Sequence, residues 1–179
     1  MSAFVTLPGI GGSGESHWQS RWEAVDPSFD RFRPGDWDRP ALSDWLKALD
    51  CAIDRAPEAP ILVAHSLACL LVAHAAEDIA GRVKGAFLVA VPDPHAPPFP
   101  EEAAGFADPS RRSMPFPVLI VASSDDPYGS VDYVREKAHE WDAGLVEAGA
   151  LGHINGASNL GEWAQGRMLL EAFRAGLRG

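Results

Sequence analysis

The chain has 179 residues, 46% of them hydrophobic and 22% charged, which is enough apolar material for one ordinary domain core and excludes a disordered chain. A formal charge of −10, with Arg111-Arg112 as the densest basic pair, leaves no cluster of lysine and arginine for nucleic acid or an anionic membrane surface. Cys51 and Cys69 have no metal-ligand or disulfide-framework spacing, Met1–Leu7 lacks the basic start of a signal peptide, and no apolar run approaches the roughly 20 residues of a membrane span, so a soluble cytoplasmic protein with free thiols is expected.

Apolar runs alternate with helical patterns from end to end, as they do where helices cover both faces of a parallel sheet. The first strand runs from Phe4 to Leu7 and ends in the small-residue loop Pro8-Gly9-Ile10-Gly11-Gly12-Ser13-Gly14. A helix from about Ser16 to Ala24 carries Trp18 and Trp22, and Phe29 to Arg33 reads as a short strand. Pro40 to Ile53 reads as a helix, because Leu42, Trp45, Leu46, Leu49 and Ile53 recur at helical spacing and Pro40 suits a first turn. A strand at Ile61 to Ala64 leads into a helix from Leu67 to about Glu77, and Ala86 to Val91 is the next buried strand. Proline-rich Pro92 to Phe116, with a short helix near Glu101 to Phe106, is at most a small lid. Val118 to Ala122 is a strand, Val131 to Trp141 a helix, Gly144 to Glu147 a last strand, and about Leu160 to Leu177 a closing helix. With no repeat and no linker, residues 1–179 form one expected domain: an α/β/α sandwich around a mostly parallel sheet of about six strands.

The junction between Ala64 and Leu67 is the sharpest feature. A strand that becomes a helix across His65-Ser66 must turn abruptly and push Ser66 outward. Small residues are needed two before and two after, and Ala64 and Ala68 stand there, so Ala-His-Ser-Leu-Ala is a relaxed form of the nucleophile elbow G-x-S-x-G. A serine hydroxyl is a weak nucleophile and needs a base, a carboxylate to orient that base, and donors for the oxyanion. In an open α/β sheet these would come from loops beyond the carboxyl ends of strands. Asp126 follows the strand ending at Ala122 and His153 the strand ending at Glu147, which gives the order Ser, Asp, His of the α/β-hydrolase architecture. Backbone N–H groups of Leu67 and Ile10 are the expected oxyanion donors, each worth on the order of 3 kcal/mol.

Every one of these residues has a structural alternative. Ser66 could only cap the following helix, and Asp126 could only be a turn residue before Pro127. Asp125 and Asp93 compete with Asp126 as the acid. His153 is the one histidine in a glycine-flanked loop between the last strand and last helix. His74 and His139 lie within helices, His65 should turn into the scaffold, His95 sits in the proline-rich loop, and His17 either lines the pocket or holds the glycine loop. Trp18, Trp37, Phe99, Phe106 and Tyr128 could wall a shallow apolar pocket, with Trp18, His17, Phe99 and Tyr128 as the substrate-contacting candidates. Gly9-x-Gly11-x-x-Gly14 also matches a dinucleotide fingerprint by spacing, but Arg33-Pro34 occupies the place of the usual acidic residue. No cofactor is expected, and no metal, since paired-ligand spacing is missing.

With these motifs in view, the chain resembles the small α/β-hydrolases typified by retinoblastoma-binding protein 9, and more closely their bacterial YdeN-type relatives. The resemblance rests on the Pro8-Gly9 loop, His17-Trp18-Gln19-Ser20-Arg21-Trp22-Glu23, Asp36-Trp37-Asp38-Arg39-Pro40, His65-Ser66, Ser124-Asp125-Asp126-Pro127 and Gly152-His153-Ile154-Asn155. It implies a compact α/β-hydrolase with a triad of Ser66, Asp126 and His153, acting as a serine hydrolase. The expected reading is an esterase for small-molecule esters. The rival is a protein-binding module on a hydrolase scaffold, which would show Trp18, Trp22 or Trp37 as a surface patch.

Overall fold

In the computed structural model, which describes residues 4–177, the strands are β1 (Phe4–Leu7), β2 (Phe29–Arg31), β3 (Ile61–His65), β4 (Gly85–Val89), β5 (Val118–Ala122) and β6 (Gly144–Glu147). They form one sheet in the order β2-β1-β3-β4-β5-β6 with every pairing parallel. The register aligns Leu7 with Ala64, His65 with Val89, and Ala122 with Glu147, so the carboxyl ends of β1, β3, β4, β5 and β6 reach one edge. That edge collects the loops that bear Ser66, Asp126 and His153.

Alternation along the strands divides the core in two, as side chains of period two must. Val5, Leu7, Leu62, Ala64, Ala86, Leu88, Ile120 and Ala122 face α2 (Leu42–Arg55), α3 (Leu67–Ala75) and α4 (Val131–Glu140). Phe4, Ile61, Val63, Phe87, Val89 and Val121 face α1 (Trp18–Val25) and α5 (Ala164–Gly176). The result is the three-layer sandwich. Helix α3 is apolar on nearly every side because α2 and the short 3-10 helix Glu101–Phe106 cover the face that the sheet does not. The proline-rich segment is therefore fastened to the core, with Ala103 and Phe106 buried and the His74 ring donating to the Phe106 carbonyl at 3.2 Å.

Several boundaries differ from the sequence expectation for local reasons. Strand β4 stops at Val89, because Ala90 takes a positive φ of 57°. Helix α5 begins at Ala164 and not at Leu160, because Asn159, Gly161 and Trp163 all adopt left-handed backbone. This turn drives the Trp163 ring against α1, where it lies 5.1 Å from Trp18 and 6.1 Å from Trp22, centroid to centroid. Trp22 closes the contact by donating its indole N–H to the Glu162 carbonyl at 2.6 Å. No described helix is long and apolar enough to cross a membrane.

Gly166 faces this cluster, and a Cβ there would lie 2.1 Å from the Trp163 ring. An exposed helical Gly→Ala change ordinarily gains up to about 1 kcal/mol. Gly166→Ala is expected to reverse that sign and cost about 1–3 kcal/mol through overpacking, read as a fall in the thermal midpoint of roughly 2–4 °C per kcal/mol.

Candidate active site

Ser66 joins β3 to α3 with φ 55° and ψ −125°. A non-glycine residue in such a conformation costs of order 1–3 kcal/mol and persists only where its surroundings overdetermine it. Here the Ser66 N–H donates to Val89 O at 2.9 Å, and the Cys69 N–H donates to Ser66 O at 2.8 Å. Ala64 and Ala68 are both fully buried beside the turn. Gly9 supplies a third small position, since a Cβ there would sit 3.0 Å from Ser66 Cβ and 3.2 Å from His65 O. Only glycine lets the β1 loop pass this close to the corner. Ser66 makes no side-chain cap to α3; its hydroxyl points elsewhere.

That hydroxyl lies 2.8 Å from His153 Nε2, and His153 Nδ1 lies 2.8 and 2.9 Å from the two carboxylate oxygens of Asp126. The Asp126 side chain is 2% exposed and that of His153 10%. A nitrogen facing a carboxylate carries the proton, so Nδ1 is protonated and Nε2 is left to accept from the Ser66 hydroxyl. Asp126 also accepts the Tyr128 N–H at 2.9 Å.

The competing carboxylates do other work. Asp125 accepts from Ser123 Oγ and from the Gly152 N–H, both at 2.7 Å, and these bonds hold its carboxyl below the usual range. It thereby clamps the residue before His153. Asp93 accepts the His95 N–H at 2.9 Å and its own N–H donates to Tyr128 O at 2.7 Å. The His153 loop is held from the far side too. The Trp18 indole donates to Ile154 O at 2.8 Å, and His65 Nε2 donates to His153 O at 2.9 Å.

The glycine loop is shaped by a turn in which the Gly12 N–H donates to Gly9 O at 3.1 Å, with Gly11 at φ 78° in the position where a type II turn needs glycine. Trp37 backs the loop: its carbonyl accepts the Gly11 N–H at 3.0 Å, and its ring would meet a Cβ on Gly12 at 2.9 Å. From below, buried Gln19 donates to Leu7 O and Val63 O at 3.3 and 3.0 Å and accepts from Ser13 Oγ at 2.6 Å. Arg31 adds a bond to Ser13 O at 3.0 Å while its guanidinium pairs with Glu23. The turn leaves the N–H of Ile10, its second residue, unused, and Leu67 as first residue of α3 has no carbonyl one turn back to bond. Both residues line the cavity beside Ser66.

This cavity has a volume of about 340 Å³ and is bounded by the glycine loop, Phe99 and Pro100, Tyr128, and the loop from His153 to Ala157. Of the expected substrate-contacting residues, His17, Phe99 and Tyr128 line it. Trp18 does not: it is 1% exposed and serves as the support of the His153 loop. Phe106 is likewise buried in the core. Asn155, Ser13 and Pro100 line the cavity without having been expected there. Asn155 had a readable signal, for Asn155 and Ser158 form a capping box. The roles of Gln19, Asp125 and Trp18 had none, because each depends on a partner distant in sequence.

His17 caps α1, its Nδ1 accepting the Gln19 N–H at 3.2 Å. Burial, with lesser contributions from Arg31 and His153, lowers its pKa to about 3. Burial likewise holds His65 well below its ordinary value, with His17 and His153 adding to the effect. Burial raises the Cys69 thiol, whose Sγ faces Val89 O at 3.4 Å, so it stays protonated and inert.

The family model described as "Serine hydrolase" matches residues 4–172. Among solved structures, the chain is similar to a YdeN-like hydrolase from Pectobacterium atrosepticum, at 29% identity and a TM-score of 0.87 over 99% of this chain and 92% of the other. It is similar in fold to the ydeN gene product of B. subtilis (20% identity, TM-score 0.78, 98% and 100% covered). The same holds for a monoacylglycerol lipase from Paleococcus ferrophilus (14% identity, TM-score 0.72, 95% and 93% covered). No curated protein matches the chain.

Histidines buried in neutral form tie stability to pH. Between the unfolded value near 6.5 and the folded value, the unfolded chain binds protons that the native one does not, so stability is undiminished above about pH 6.5 and is lost as pH falls. For His17 the loss continues to about 3; each such proton contributes about 1.4 kcal/mol per pH unit. Denaturant titrations from pH 7 to pH 4 should show this slope, and His17→Asn, which keeps a capping oxygen, should reduce it by close to one proton. An unchanged slope in the variant would contradict the assignment.

Proposed function

Because the chain belongs to the serine hydrolase family, we propose that it hydrolyses small carboxylic esters with Ser66 as nucleophile, His153 as general base and Asp126 as the carboxylate that orients it. The observation that supports this reading is the continuous line of bonds from Ser66 Oγ through the two nitrogens of His153 to Asp126.

In this reading His153 Nε2 takes the hydroxyl proton as Ser66 Oγ bonds to the ester carbon. Asp126 stabilises the imidazolium that forms. The developing oxyanion lies against the N–H groups of Leu67 and Ile10, and the positive end of α3 adds to that field. His153 then passes its proton to the leaving alcohol. Water, deprotonated by the same imidazole, attacks the acyl carbon; the bond to Ser66 Oγ breaks, His153 returns the proton to that oxygen, and the acid leaves. The monoacylglycerol lipase of similar fold and the absence of any need for a cofactor in these steps agree with ester chemistry. The strain at Ser66 is spent in keeping Oγ exposed above the helix.

The rival reading, a protein-binding surface of tryptophans, draws no support from the geometry. Trp18 and Trp22 are 1% and 2% exposed, and Trp37 is packed against the glycine loop.

A fluorophosphonate probe should label the wild-type protein, and Ser66→Ala should abolish both labelling and turnover of an aryl ester. Labelling of folded Ser66→Ala at the wild-type rate would refute the nucleophile. Asp126→Asn should lower kcat by about 10³- to 10⁴-fold, as loss of an orienting carboxylate does. Asp125→Asn, which only loosens the clamp on Gly152, should cost far less; equal losses would reassign the acid.

A further inference from the structure

The cavity at Ser66 does not end at its histidine. An open groove of about 480 Å³ lies beyond it, and Tyr128, His153, Asn155 and Ala157 line both. The groove is otherwise walled mainly by apolar residues: Pro127 from the β5 loop, and Ala150, Leu151 and Leu160 from the segment after β6. The residues common to both spaces are held in place. The Tyr128 ring lies 4.5 Å from that of His153, centroid to centroid. The Tyr128 backbone donates to Asp126 at 2.9 Å and accepts from the Asp93 N–H at 2.7 Å. The Asn155 side-chain oxygen accepts the Ala157 N–H at 3.0 Å, and the Asn155 N–H donates to Ser158 Oγ at 3.2 Å. On the groove side the Leu151 N–H donates to Ser123 Oγ at 2.9 Å.

Resting on the esterase reading above, we propose that this groove is the subsite for the alcohol part of the substrate, and that the preferred substrates are esters of long apolar alcohols. Proton transfer decides which half of the ester faces it. At the tetrahedral carbon the oxyanion turns to the N–H groups of Ile10 and Leu67. The leaving oxygen must lie within hydrogen-bond reach of His153 Nε2 to receive its proton. Nε2 is 2.8 Å from Ser66 Oγ, so the leaving oxygen sits beside the imidazole, and its carbon substituent starts at the residues that flank that ring. The acyl chain, on the one remaining bond, points away. An alkyl chain that crosses the shared residues reaches Pro127, Leu151 and Leu160 and takes their apolar surface out of water. Full burial of a methylene corresponds to about fourfold in binding. A chain in an open groove is covered on one side, so roughly twofold per methylene is expected.

The test compares ethyl acetate with two isomers of equal hydrophobicity, octyl acetate and ethyl octanoate, which carry the added chain on the alcohol and the acyl side. From ethyl to octyl acetate kcat/KM should rise at least about tenfold. Ala150 is exposed and lines the groove but not the cavity at Ser66. Ala150→Trp, which puts a large ring into the groove, should cut that rise at least about fivefold. The ratio of ethyl octanoate to ethyl acetate should change by less than about twofold in the same variant. If turnover requires Ser66 but the alcohol series shows no rise, or a rise that the variant leaves intact, the subsite is refuted and the esterase reading stands. A variant that cuts the acyl series as much or more gives the groove to the acyl chain and overturns the assignment. If none of these esters is turned over, the esterase reading fails for them, and 1-octanol binding, followed on the His153 imidazole NMR signals, decides the subsite. The wild-type protein should then bind 1-octanol at least about fivefold more tightly than Ala150→Trp; equal binding, or none, overturns the proposal.

Discussion

The backbone of Ser66 is the constraint on which the site depends. Its positive φ is held from three sides: by the β4 carbonyl of Val89, by the first turn of α3, and by the Gly9 backbone pressed against its Cβ. Only the helix turn is local; the Val89 and Gly9 supports come from segments distant in sequence. The sheet register that sets His65 opposite Val89 also places the acceptor for the Ser66 N–H. The parallel sheet is therefore the device that keeps the corner sharp; alanines at 64 and 68 are fully buried beside it, and at Gly9 a side chain would collide with Ser66.

A second constraint brings His153 back across the sheet. β6 is an edge strand, three positions from β3 in the sheet order, yet the His153 ring must reach Ser66. The loop after β6 covers this distance by docking on α1 through Trp18 and Trp163, on β3 through His65, and on the β5 loop through Asp125. Three of these contacts accept or donate at residues 152, 153 and 154, so the imidazole is positioned by backbone held on both sides. Such support by neighbouring groups is what keeps a catalytic geometry fixed. The first turn of α1 acts twice, since Gln19 and Ser20, next to Trp18, shape the glycine loop.

These supports explain the aromatic and polar density of the stretch from His17 to Glu23. As a helix it is weakly amphipathic, and its composition makes sense only against its partners. Trp18 and Trp22 hold the loop of residues 151–163, Gln19 holds the strand ends, and Glu23 holds Arg31 under the loop. Trp18 is therefore a positioning element behind the cavity and not part of its wall.

The periodicities of two and 3.6 residues are local, so the strands, most helices and the α/β/α layering were legible from the chain, as were the Ser, Asp, His order and the abrupt corner at Ser66. Chemistry carried by type and order along the chain survives without coordinates. What tertiary structure decided is everything that depends on distance between remote segments: that Asp126 and not Asp125 or Asp93 faces His153, that Trp18 is buried, that Gly9 is the tight approach, and that α5 starts four residues late at a left-handed Trp163. The physical reason is that adjacent carboxylates such as Asp125 and Asp126 are equivalent as chemistry. They are told apart only by which one the folded loops turn toward a histidine that lies 27 residues further on.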